Sequence, residues 1–311
     1  MIEVQNLTKR YGERVAVEDL SFVVEPGVVT GFLGPNGAGK STTMRLILGL
    51  DAPSSGTALV GGRAYHEIPD PLREIGAMLE AHAIHTGRSA RNHLRALAAT
   101  HGIGDARVEE VIDLVGLGQV ANKRVGTFSL GMGQRLGIAS SLLGDPLTVV
   151  LDEPVNGLDP EGIRWVRELL RGLAAEGKTV FLSSHMMSEM ALIAERLVVI
   201  GKGRLIADTS VEEFVEKASA GAPVQVRSPR AEDLRAALER MRADVDSVGD
   251  GELLVRGSTP GQIGDLAAEL GIPLHGLTPQ HISLEDAFMQ ITRTSVEFHT
   301  GSEKPELKVV A

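Results

Sequence analysis

Residues 34–42 read GPNGAGKST and join two segments of opposite texture. Before them, VVTGFLG (28–34) is an unbroken apolar run, the pattern of a strand buried on both faces. After them, STTMRLILGL (41–50) carries its apolar residues at helical spacing. A buried strand, a loop fitting G-x-x-x-x-G-K-[ST] and a helix make up the phosphate-loop arrangement. It places the loop at the carboxyl end of a strand in an open α/β sheet. Gly34, Gly37 and Gly39 allow the backbone to wrap closely and turn its N–H groups inward. Pro35, Asn36 and Ala38 complete the loop, and Thr42 starts the helix, whose positive end adds to the anion site. Lys40 supplies a point charge for the β- and γ-phosphates, and Ser41 a hydroxyl for Mg²⁺. The expected ligands are therefore a nucleoside triphosphate and magnesium.

A phosphate loop needs an acid for its metal. LTVVLDEP (147–154) has one: an apolar strand ends at Asp152, and Glu153 follows it. Asp152 is expected to hold Mg²⁺, largely through water, because magnesium dehydrates reluctantly. Glu153 is expected to polarise an attacking water.

The remaining chain reads as alternating strands and helices, which implies a mainly parallel sheet with covering helices. A helical insertion interrupts it at about 89–145. The expected fold is thus a P-loop NTPase of α/β class over residues 1–215. EKASAGAP (216–223) reads as a linker, and residues 222–292 as a small second α/β domain with strands at VQVRS, ELLVRG and IPLHGL. The polar stretch 293–311 is expected to be a flexible tail.

Composition narrows the function. The net charge is −10, and aromatics make up only 3%, which argues against a basic nucleic-acid face and against stacking platforms. The chain has no cysteine, which removes disulfides and thiolate sites. The longest apolar runs, such as LTVVL and RLVVI, are strand-sized, far short of the ~18 residues of a bilayer span. MIEVQNL has neither the basic nor the apolar region of a secretory signal. His82, His85, His93 and His101 lack acidic or cysteine partners at metal spacing, and are read as solvated.

TFSLGMGQRLG (127–137) raises a separate question, since it too looks like a phosphate-binding helix start. In order, GPNGAGKST, FSLGM, LTVVLDEP, NGLD and SSH resemble the ABC ATPase family. The resemblance covers about residues 1–215. SLEDAFMQIT (283–292) further resembles an ending seen in ATP-binding subunits of drug and antibiotic exporters. In that family two ATPase domains pair head to tail, and each signature helix caps the nucleotide held by its partner. The resemblance implies that Ser129 and the Gly131 backbone bind γ-phosphate across a homodimer interface. It also implies that His185 contacts γ-phosphate, that Asp159 links the two sites, and that Tyr11 stacks on adenine. Glu80, in IGAMLE, stands where the family usually has Gln, and is implied as an oxygen ligand of Mg²⁺. Against the usual L-S-G-G-Q, Phe128, Leu130 and Met132 are departures. GRSARNHL (87–94) resembles the stretch facing the membrane subunit. The implied partner is an integral membrane permease, with this chain peripheral on the cytoplasmic face of the membrane, energising export of drug-like or lipid-like cargo. Two rivals stand beside this reading. One is a non-transport ABC ATPase acting on ribosomes or DNA, although such proteins usually carry two ATPase domains or a long coiled-coil insertion. The other is a plain P-loop switch, against which FSLGM argues.

Overall fold

A computed structural model describes residues 1–80, 84–185, 187–219, 223–280 and 283–292. The first strands are amphipathic, and they pair as the alternation predicts. β1 (Ile2–Tyr11) and β2 (Arg14–Val24) form an antiparallel hairpin. β4 (Ser55–Val60) joins the other edge of β1. Between them in sequence lie β3 (Val29–Leu33), buried at every position, and α1 (Lys40–Ile47). After β4 come α2 (Pro71–Glu74) and β5 (Ile75–Met78). The insertion contains α3 (Ala90–Thr100), α4 (Asp105–Leu114) and α5 (Leu130–Leu142).

β6 (Thr148–Leu151), α6 (Pro160–Ala175), β7 (Thr179–Ser183), α7 (Met187–Ile193), β8 (Arg196–Gly201) and β9 (Arg204–Ser210) complete the first unit. Its main sheet has the order β5-β6-β7-β3-β8-β9, and all neighbours are parallel except β8 and β9. β6 and β7 are buried at every residue, as strands covered on both faces must be. Phe22, Phe32 and Phe181 meet between the two sheets, with centroids 5.1–5.8 Å apart. The topology brings four loops to the carboxyl edge of the parallel strands: those after β3, β5, β6 and β7. Ligands bind at this edge in open α/β sheets.

Contacts divide the chain between Ser210 and Val211. The second unit begins with α8 (Val211–Ser219), so residues 216–219 of the expected linker are helical; 220–222 lie outside the described residues. It continues with β10 (Val224–Arg227), α9 (Ala231–Arg240), β11 (Asp244–Gly249), β12 (Glu252–Arg256), α10 (Pro260–Glu269), β13 (Gly276–Pro279) and α11 (Leu284–Thr292). The sheet order β11-β12-β10-β13 is antiparallel throughout. With the β-α-β-β-α-β succession this is the split-βαβ arrangement. Two details differ from the sequence reading. β11 was not expected: it is an edge strand whose one buried residue is Val245, so it shows no apolar face to read. The last strand is Gly276–Pro279, because Ile272 packs into the core from the turn before it. Residues 293–311 and His82 lie outside the described residues.

Candidate functional site

The loop after β3 folds back on itself through glycine. Gly37 and Gly39 have φ of 80° and 104°, a region that L-residues rarely adopt. A Cβ on Gly39 would stand 2.6 Å from the Ala16 carbonyl oxygen, so the loop is locked against the start of β2. Lys40, only 8% exposed, donates from Nζ to the carbonyls of Gly34 at 2.5 Å and Pro35 at 3.4 Å. The loop is thus wound around the ammonium. Burial pushes the Lys40 pKa down, and Glu153 and Asp152 oppose that.

The acids arrive from the end of β6, which β7 separates from β3 in the sheet. Asp152 follows β6, with its N–H donating to the Met78 carbonyl at 2.7 Å. Ser41 Oγ donates to Asp152 Oδ2 at 3.0 Å, and Ser183 Oγ, at the end of β7, donates to Oδ1. Glu153 has φ +51°; for a non-glycine residue this costs about 1–3 kcal/mol and persists only where the surroundings hold it. Its N–H donates to Ser183 Oγ at 3.1 Å, and its carbonyl accepts from Gln134 Nε2 at 2.9 Å. Its carboxylate meets His185, with Oε2 2.6 Å from Nδ1. The strained backbone turns the Glu153 side chain toward the loop while the main chain stays clamped.

Tyr11, Pro35, Asn36, Gly37, Ala38, Gly39, Lys40, Ser41, Thr42, Asp152 and Glu153 line one cleft of about 530 Å³. Gly34 stands behind it and joins through its carbonyl. The Tyr11 hydroxyl donates to Asp51 at 2.9 Å, and Lys9 Nζ lies 4.9 Å from the ring centroid, so the exposed ring has a fixed tilt. The cleft suits a polyphosphate: one buried ammonium, glycine-turned amides and a helix start. The hard oxygens of Ser41 and Asp152, already 3.0 Å apart, suit a magnesium ion that keeps most of its water. Among the described residues no group of three or more His, Asp or Glu forms a closed metal cage, in keeping with so open a donor set.

Besides Gly34, five expected site residues do not line this cleft, and His185 reaches it only through Glu153. Glu80 is exposed beyond β5. Ser129 is the N-cap of α5, its Oγ accepting from the Met132 N–H at 3.3 Å. Gly131 lies beside Leu158, and Asp159 caps α6 by accepting from the Gly162 N–H at 2.9 Å. Of the histidines, His85 accepts from the Gly87 N–H at 3.1 Å and His101 meets Thr100 Oγ1 at 2.8 Å. His93 departs from the solvated reading. It is half-buried on α3, its Nδ1 has no partner, and desolvation, then Arg88, lowers its pKa. Gln134 was not anticipated as a site residue; its helical position suggests only core.

A phosphate loop, an acid-tipped strand one removed from the loop's own strand, and a sheet of this order define a P-loop nucleoside triphosphatase. Comparison with known proteins narrows the class. The family model described as ABC transporter matches residues 17–156, and a model described as a domain of unknown function matches residues 222–285. The chain is 42% identical over 216 residues to an uncharacterised ABC transporter ATP-binding protein, YhcH, of Bacillus subtilis, covering 68% of this chain and 71% of that one. It is 35% identical over 299 residues to the bacitracin transport ATP-binding protein BcrA of Bacillus licheniformis, covering 94% and 97%. A solved ATP-binding subunit of an ABC transporter superposes with a TM-score of 0.64 at 27% identity, covering 70% of this chain and 92% of that one. The chain belongs to the ABC transporter ATP-binding protein family, and it is an ATP-binding subunit and an ATPase.

Proposed function

We propose that this chain hydrolyses ATP as one half of a head-to-tail pair and passes the resulting motion to a membrane permease that exports an antibiotic-like or lipid-like cargo. One observation carries the pairing: Lys40, Asp152 and Glu153 line one cleft, whereas Ser129 and Gly131 lie outside it at an exposed helix start. A second copy turned to face the first would bring that helix start over the cleft. Lys40 and the loop amides then hold the β- and γ-phosphates, and Ser129, Gly131 and His185 meet the γ-phosphate. Ser41 and Asp152, with Glu80 beyond β5, would hold magnesium, which supplies charge neutralisation between the β- and γ-phosphates when bound. Tyr11 stacks on the base, and Asp159 connects the two centres. Glu153 accepts a proton from the attacking water, with His185 fixing its carboxylate.

The names of relatives such as BcrA, a bacitracin transport protein, support the cargo class. Among the described residues no helix is long and apolar enough to cross a membrane, which fits a peripheral subunit bound to a permease on its cytoplasmic side. The domain division that goes with this reading is an ATPase domain and a separate module at 222–292, with the boundary expected near 215 moved to the start of α8 at Val211.

The test is the dependence of turnover per chain on protein concentration. A paired mechanism gives turnover that rises with concentration and then saturates. In a mixture of Lys40→Met and Ser129→Ala chains, one composite centre carries both lesions and the other neither, so the mixture recovers part of the activity that each variant lacks alone. Turnover that is independent of concentration, with no recovery on mixing, rejects the pairing.

A further inference from the structure

Helix α5 touches the catalytic edge at three successive places. Ser129 stands at its N-cap. Leu130 lies over Gly157: a Cβ built there would be 2.0 Å from Leu130 Cδ2. One helical turn on, Gln134, 4% exposed, donates from Nε2 to the Glu153 carbonyl at 2.9 Å. Leu130 and Gln134 are four residues apart and so share one face of the helix, and that face carries the 153–157 segment. The far side is tied down independently. The Arg135 guanidinium donates to the Val115 carbonyl at 2.9 Å and stacks 4.3 Å from the Trp165 ring centroid. α5 is therefore braced between α4 and α6, with its first turn free to meet a ligand.

Glu153 is an unusual point of attachment. Its backbone is left-handed, φ +51°, a conformation that its surroundings must impose. Three hydrogen bonds hold its main chain: the N–H to Ser183 from the sheet side, and the carbonyl from Gln134 on the helix side and, at 3.2 Å, from the Asn156 N–H of its own turn. Ser183 already belongs to the Asp152 network, whereas Gln134 reports only the position of α5. We propose that Gln134 is a positioning residue for Glu153, and that through it α5 connects the γ-phosphate contact at Ser129 to the water-activating carboxylate of its own chain. A helix start drawn onto the opposite nucleotide then sets the backbone of the base in the other cleft. This rests on the reading of Glu153 as the base and of Ser129 as a cross-dimer contact.

The experiment is a cycle on the full chain: Gln134→Met, Glu153→Gln and the double variant, each with kcat, KM for ATP and nucleotide affinity measured. Gln134→Met keeps the side-chain length and removes the donor. The expected result is a kcat lowered about ten- to hundredfold, the scale of an ångström-sized misplacement, with KM and affinity unchanged within about twofold. In the Glu153→Gln background the same change is expected to cost nothing further, because the group it positions is gone. Normal kcat in Gln134→Met overturns the proposal. So does an equal loss in both backgrounds, or a raised KM with kcat intact. If Gln134→Met does not fold, Gln134→Glu, which also lacks a donor when ionised, must give the same pattern. Full turnover in Glu153→Gln alone overturns the base assignment instead, and is read from a different variant.

Discussion

His185 Nδ1 stands 2.6 Å from Glu153 Oε2, and the His185 N–H faces the same oxygen at 3.3 Å. The imidazole and the main chain after β7 together fix the direction of a carboxylate that the loop after β6 delivers. Glu153→Gln keeps the shape and loses the base. Hydrolysis is expected to fall about 10²–10⁴-fold, the range for general base catalysis, while ATP still binds. The variant should then accumulate as a dimer in ATP, seen as a shift in size-exclusion elution that ADP does not produce. Normal turnover would place the base elsewhere.

Lys40 tests the phosphate end. The free protein holds a buried ammonium on two backbone carbonyls, and burial already pushes its pKa down. Phosphate oxygens are better partners than carbonyls. Lys40→Met is expected to weaken nucleotide binding about 10- to 100-fold, equivalent to the ~1.5–3 kcal/mol of hydrogen bonds to a charged group. Loss of the two carbonyl hydrogen bonds is expected to be offset by removal of a desolvated charge. The variant should therefore melt at or above the wild-type temperature without nucleotide, and lose most of the nucleotide-induced rise. A large drop in melting temperature without ligand would make Lys40 a structural residue instead.

Why some of this was legible in the sequence, and some not, follows from range. The phosphate loop and Asp152 sit on strands whose apolar runs announce burial, and the chemistry demands those residues at those spacings. The order of strands that brings Asp152 to Ser41 is a consequence of parallel α/β topology, so that meeting was also readable. The left-handed backbone of Glu153 was not. Beside a local bond from the Asn156 N–H, it rests on contacts with Ser183 and Gln134, 30 and 19 residues away, which no local pattern encodes. β11 hid for the opposite reason: an edge strand with charged residues carries little periodicity.

Leu130 and Gly157 form a size-matched pair. Leu130 departs from the usual glycine, and it occupies the space where a side chain at 157 would lie. Gly157 also has φ +74°. Gly157→Ala is therefore expected to destabilise by about 1–2 kcal/mol from backbone conformation alone, with the clash added. Leu130→Ala is expected to cost little, since Leu130 is 47% exposed. The double variant should recover the clash, giving a coupling of about 0.5–3 kcal/mol in urea unfolding. Strict additivity would mean that Leu130 moves aside freely.

Asp145 offers a pH test away from the cleft. It has φ +52° and holds Lys178, whose side chain is only 12% exposed; Arg107 Nη2 lies 3.7 Å away. The Lys178 hydrogen bond holds the Asp145 carboxyl below its ordinary value, against partial burial. A carboxyl depressed in the folded state adds stability above its unfolded pKa of about 3.9, and that stability is lost as pH falls through the folded value. Asp145→Asn keeps a residue that tolerates the left-handed turn and removes only the charge. With the carboxylate 65% exposed, solvent screening limits the loss near neutral pH to about 1 kcal/mol or less. The difference in urea midpoint between wild type and variant should shrink steadily as pH is lowered toward about 4 and below. A difference that stays constant with pH would assign the effect to the turn, not to the ion pair.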